Sequence, residues 1–138
     1  MATRLTGAPV ASKIYAQVRK KAATLGTQPC LAAVSVGAQP DMVTFTPDGK
    51  YILTADEGEP RMGYTAEGAV DPKGSVTVIE AADLSARTVD FTAFDSAGAR
   101  AALAAEGVVL KKDTAPSVDL EPEYIACDND TAYITCQE

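Results

Sequence analysis

The sequence predicts an α+β fold that is mainly β, and three observations carry that reading. Val36 to Pro60 reads as strand, turn, strand and acidic loop. Ser75 to Ile79 alternates apolar and polar residues with a clean period of two. Tyr124 to Thr135 repeats the strand–turn–strand pattern of the first stretch, an approximate internal repeat with a long insertion between its two copies.

The chain opens differently. Pro9 sits near a first helical turn, where its missing N–H costs nothing. Val10, Ile14, Val18, Ala22 and Leu25 fall three or four apart and predict one apolar helix stripe, stopped at Gly26. Cys30 to Val36 is a run of small and apolar residues that predicts a strand buried on both faces, the opening of an α/β sheet. In the first hairpin, Thr46-Pro47-Asp48-Gly49-Lys50 is a turn with a mechanism. Pro presets φ, Asp bonds nearby backbone, and Gly takes a positive φ.

Further along, Val70 to Gly74 turns the chain into the strand Ser75–Ile79, and Asp83 with Leu84 marks another turn. Thr88 to Phe94 predicts a short strand. Ser96 is placed to cap an Ala-rich helix from Ala97 to Glu106, ended by Gly107. Val108 to Leu110 predicts a short strand or extended segment, and Asp119 to Ala126 leads into a strand. Asp128-Asn129-Asp130 turns the chain into a last strand, Thr131 to Thr135.

Composition bounds the function. The 138 residues suit one ordinary domain, and 46% hydrophobic with 22% charged residues is globular rather than disordered. Without histidine, Ser–His and Cys–His catalysis and His-ligated metal are excluded. Cys30, Cys127 and Cys136 are odd in number and lack CxxC spacing, which predicts small buried thiols on strands. No apolar run approaches a membrane span, and no secretory leader pattern opens the chain, so the sequence as it stands reads as cytoplasmic. Neither GxGxxG nor Walker A is present, the tyrosines are scattered without the basic interleaving of a nucleic-acid face, and the net charge is −7, so no nucleic-acid partner is expected.

That net charge hides a split. Met1 to Pro40 holds five basic residues and no acid, while all 19 acids lie from Asp41 onward against seven basic residues. Such asymmetry fits two sequences joined near Val36–Asp41.

Two resemblances agree with a join. "VGAQPDMVTFTPDGKYILTADEGEP", "VDPKGSVTVIE", "DFTAFD" and "DLEPEYIACDNDTAYITCQE" resemble, in order, the choice-of-anchor I or mesenchyme-specific cell-surface glycoprotein-like family of β-propeller proteins. "LTGAPVASKIYAQVRKKAATLGTQPCLAAVSVGAQPD" resembles the N-terminus of bifunctional methylenetetrahydrofolate dehydrogenase/cyclohydrolase. The expected organisation is residues 1–36 as an incomplete α/β segment and 37–138 as about two antiparallel β-propeller-like blades with one inserted helix. The family pattern would continue beyond Gln137-Glu138.

The resemblance implies a non-enzymatic fragment of a secreted or cell-surface scaffold, with unclosed strand edges open to self-association. One alternative is a folate-enzyme fragment, but the Tyr-x-x-x-Lys pair of that family does not follow the opening. Another is a small calcium-binding α+β protein. Asp56, Glu57, Glu59 and Asp71 offer the hard oxygen ligands Ca²⁺ takes, though their spacing matches no EF-hand and a solvated acidic loop is the ordinary reading. Asp119, Glu121 and Glu123 alternate, so an extended chain would put their carboxylates on one face. There they suit either acid–base chemistry or, more simply with Pro122 among them, a charged strand edge. No catalytic residue is assigned.

Overall fold

The computed structural model describes residues 16–21, 23–24, 32–60, 63 and 67–137, in two units, Met1–Ala33 and Val34–Glu138. In the first unit residues 16–21 are helical, and Thr24 closes the turn by donating its N–H to the Lys21 carbonyl at 3.0 Å. Val18 is exposed there, and the other positions of the expected apolar stripe lie outside the described residues.

In the second unit, β1 (Pro40–Phe45), β2 (Tyr51–Asp56), β3 (Ser75–Glu80) and β4 (Ala86–Asp90) form a four-stranded antiparallel sheet in sequence order. Strands β5 (Pro122–Cys127) and β6 (Ala132–Cys136) form a separate two-stranded sheet. The segment read as an insertion between two hairpins therefore carries the two strands that complete the first sheet. Thr, Val and Ile dominate β3, residues whose branched side chains fit a pleated surface.

Register fixes which residues share a face. Leu53 lies opposite Val78 and Ala55 opposite Val76, while Thr54 lies opposite Thr77 and Asp56 opposite Ser75 on the other face. The apolar face receives β5. Leu53, Ala55 and Ile125 are buried together, with Met42, Tyr51, Val78, Cys127 and Ile134 packed around them. Each fully buried Leu or Ile contributes about 1.5–3 kcal/mol. The Ile125 N–H lies 3.0 Å from the Met42 sulfur, which sets β5 against β1.

Both hairpin turns form as their residues require. Gly49 has φ 71°, and its N–H reaches the Thr46 carbonyl at 2.8 Å. Asp48 accepts from the Thr46 hydroxyl at 2.8 Å and the Lys50 amide at 3.1 Å. Asp128 likewise accepts from the Asp130 and Thr131 amides at 2.8 and 2.7 Å. The Asn129 side-chain carbonyl then takes the Asp48 N–H at 2.9 Å, tying one turn to the other.

The Ala-rich helix spans Ala97–Ala105, with the Ser96 hydroxyl accepting from the Ala99 amide at 3.2 Å and Gly107 (φ 91°) ending it. It buries none of its residues.

Several expectations are corrected. Residues 32–36 form no strand, and none of them is buried. Their Ala and Ser side chains give little β preference, and no ladder partner stands beside them among the described residues. The strand expected to reach Phe94 ends at Asp90, followed by a 3₁₀ turn at Thr92–Phe94. Asp90 stops it by accepting from the Thr92 amide and hydroxyl at 3.0 and 2.6 Å. Of the two readings of Val108 to Leu110, the strand does not form. Of the thiols expected to be buried, Cys127 is half-buried and Cys136 exposed, because β6 has most of its residues in solvent; Cys30 lies outside the described residues.

Candidate functional site

The most constrained polar group is the carboxylate of Asp56, which is 0% exposed. It lies at the end of β2, on the face opposite the apolar cluster. Thr54 and Thr77 donate their hydroxyls to it at 2.8 and 2.7 Å, and Ser75 donates at 3.1 Å. A buried carboxylate is tolerated only when its oxygens are satisfied, and hydrogen bonds to a charged acceptor are the strong ones. Thr77 also accepts the Gly37 N–H at 3.3 Å, since one hydroxyl donates and accepts at once.

That bond begins a clamp between residues 37–39 and 56–58. The Glu57 N–H reaches the Gln39 carbonyl and the Gly58 N–H the Ala38 carbonyl, each at 3.1 Å. At Gly37 only a glycine fits: a Cβ there would stand 2.3 Å from the Ser75 hydroxyl oxygen and 2.6 Å from Asp56 Oδ2. Gln39 takes φ 50°, unusual for a residue with a side chain, and its amide nitrogen donates to Glu57 at 3.3 Å and Glu59 at 3.0 Å.

Each of the four residues considered for calcium has a partner within the protein. Asp56 is enclosed by hydroxyls, Glu57 is buried and shares Gln39 with the exposed Glu59, and Asp71 is exposed with an interaction of its own. Among the described residues no three acidic or cysteine side chains converge as a metal ion requires. Burial, then the like charges of Asp41 and Glu59, raises the Glu57 carboxyl above its ordinary range.

A second set of carboxylates lies around the Pro116–Asp119 helix. Asp95 accepts from the Ser117 amide and hydroxyl at 2.9 and 2.8 Å, and Asp119 Oδ2 accepts the Lys111 amide at 2.7 Å. Arg100 pins the intervening loop through the carbonyls of Lys111 and Thr114. Asp119 and Glu121 are each 3% exposed, and Asp119 Oδ1 is buried without a partner. This corrects the charged-edge reading. Pro116 opens a helical turn, so Asp119, Glu121 and Glu123 do not lie along one extended edge.

The family model of the choice-of-anchor I domain matches residues 13–138, most of the chain. The chain belongs to the choice-of-anchor I domain family. The match takes in residues 13–36 and spans Val36–Asp41, and nothing found supports the folate-enzyme resemblance or a join there. No curated protein and no solved structure matches the chain. No helix among the described residues is long and apolar enough to cross a membrane.

In this choice-of-anchor I domain the Asp56 network joins the end of β2 to β3 and to residues 37–39. Its partners Ser75 and Thr77 escaped sequence reading because only the β2–β3 register brings them to Asp56. The signal was present as Thr54-x-Asp56 and Ser75-x-Thr77, polar residues two apart in strands whose alternate positions are apolar. A groove of about 380 Å³ lies elsewhere, lined by Tyr51, Leu53 and Val78 of the first sheet and by Asn129 and Thr131 of the β5–β6 turn.

Proposed function

We propose that this domain is a non-catalytic scaffold displayed at the cell surface, built of β-propeller blades. Strands β1–β4 are one four-stranded blade, and β5–β6 is the inner hairpin of the next. The observation that carries this reading is the repeated build of the two hairpins. Each is closed by an Asp that accepts two backbone or side-chain donors from its own turn, and Asn129 and Met42 hold them face to face. Four-stranded antiparallel sheets stacked face on face are what a propeller repeats. Family membership supports the surface placement. The most constrained side chains, around Asp56, bond to one another inside the fold, which is the behaviour of a framework.

Brief protease treatment of intact source cells tests the placement. Loss of the domain while a cytosolic marker stays whole is the expected result. Protection of the domain until the cells are lysed would overturn it.

A further inference from the structure

We propose that the outer edge of β6 takes up an extended peptide strand of a partner chain, antiparallel to β6 and of the chemistry of β3: alternating β-branched side chains with one acidic group. The proposal rests on the reading of β5–β6 as a blade hairpin and names what that hairpin binds.

Backbone geometry fixes which groups β6 offers. Along an antiparallel pair, residues that exchange both hydrogen bonds alternate with residues whose N–H and C=O point away from the partner strand. The Asp128 N–H reaches the Thr131 carbonyl at 3.0 Å, so the bonded pairs continue through Ala126 with Tyr133 and Tyr124 with Thr135. The residues between them point outward. On β5 the Ile125 N–H is accordingly directed at the Met42 sulfur, 3.0 Å away in β1. On β6 the outward groups are those of Ala132, Ile134 and Cys136, while the Gln137 N–H turns back to the Glu121 carbonyl at 2.8 Å. Among the described residues no strand pairs with that edge.

The first hairpin shows what fits there. Its second strand, β2, carries β3 (Ser-Val-Thr-Val-Ile-Glu) antiparallel on the edge away from β1. From Thr131 to Gln137 the chain has no charge and no proline, the residues that guard an open edge, whereas β4 at the end of the first sheet holds Arg87 and Asp90. The groove of about 380 Å³ is lined by Val78 and Arg87 as well as by Thr131 and Ala132 at the start of β6. Register sets Val78 opposite Arg87 and Val76 opposite Val89, so these four share one face of the first sheet, and Val89 is 44% exposed. Arg87 has neither a hydrogen bond nor an ion pair among the described residues. A strand added to β6 presents alternate side chains to this face, apolar ones for Val78 and Val89 and an acidic one for Arg87.

The test is titration of the full chain with the peptide Ser-Val-Thr-Val-Ile-Glu, its ends blocked, followed by NMR of the labelled protein. The expected result is saturable binding that protects the amides of Ala132, Ile134 and Cys136 from exchange and leaves those of Tyr133 and Thr135 unchanged. Ala132→Pro removes one outward N–H without touching a β5–β6 bond and should weaken binding about tenfold. Arg87→Gln should weaken binding of this peptide and not of the same peptide ending in Gln. No binding, protection confined to other residues, full affinity in Ala132→Pro, or an equal loss for both peptides in Arg87→Gln would overturn the proposal. So would a dimer of the chain alone, held through β6, that the peptide does not dissociate. Such failures leave the stacked hairpins standing, because the coupling of Met42 to Ile125 is read without peptide, and they leave the surface placement to the protease test on cells.

Discussion

Thr77 donates its hydroxyl to Asp56 at 2.7 Å and with the same oxygen accepts the Gly37 amide at 3.3 Å. One side chain in β3 thereby joins the end of β2 to the segment that leads into β1. Truncating the carboxylate should strand three buried hydroxyls, at about 1 kcal/mol or more each. Asp56→Ala is expected to lower stability by about 3 kcal/mol or more, and Thr77→Val by about 1–3 kcal/mol. Urea unfolding checks both, as a fall in midpoint with little change in slope.

Glycine substitutions are expected to differ in sign by position. At Gly74 a Cβ would stand 2.1 Å from the Leu120 carbonyl and 2.7 Å from Pro122, so Gly74→Ala must displace backbone. A loss of about 2 kcal/mol or more is expected, within the range for overpacking. At Gly98, in the Ala97–Ala105 helix, a Cβ meets nothing within 4 Å. Gly98→Ala should stabilise by about 0.5–1 kcal/mol through lower unfolded-state entropy and better helix propensity. Thermal melts of the two variants beside wild type decide the matter.

Leu84 takes φ 63° at the turn between β3 and β4, where the Ser85 amide donates to Asp83 at 2.8 Å. A left-handed conformation costs a residue with a Cβ about 1–2 kcal/mol. Leu84→Gly is expected to raise stability by up to that amount, less the entropy glycine adds to the unfolded chain. A lower melting temperature would show that the leucine side chain contributes more than its backbone strain costs.

The pH dependence should run in opposite directions at two carboxylates. Hydrogen bonds from Lys50, then Thr46, lower Asp48 from 3.8 to about 2. Its contribution is full above about pH 4 and is lost as pH falls toward 2. Glu57 is raised above 4.5 by burial and by Asp41 and Glu59, with Glu123 adding to the like charge and Gln39 opposing it. Its contribution is full below pH 4.5 and is lost as pH rises through its folded value. Glu57→Gln should therefore flatten the fall in melting temperature above pH 4.5, and Asp48→Asn the fall below pH 4.

Local chemistry was legible in the sequence, and long-range pairing was not. The turns at Thr46–Lys50 and Asp128–Asp130 announce themselves because Asp and Gly bond or bend within a few residues. Ser96 and Gly107 bracket their helix for the same reason. The Asp56 network joins residues about 20 apart, so only strand register reveals it. Asp119 and Glu121 looked like an exposed edge because alternation says nothing about which loops will cover it. Residues 32–36 looked like a buried strand because small apolar side chains fit many settings, and a strand exists only where a partner pairs with it.

The measurement that bears most directly on stacked, repeated hairpins is a double-mutant cycle between Met42 and Ile125, read by urea unfolding of Met42→Ala, Ile125→Ala and the pair. The two residues belong to different hairpins and meet in the apolar cluster. The stacked arrangement predicts a coupling of about 0.5–3 kcal/mol, the range for residues in contact. Additivity within about 0.3 kcal/mol would contradict it, because it would mean that β5–β6 does not rest on β1 and β2.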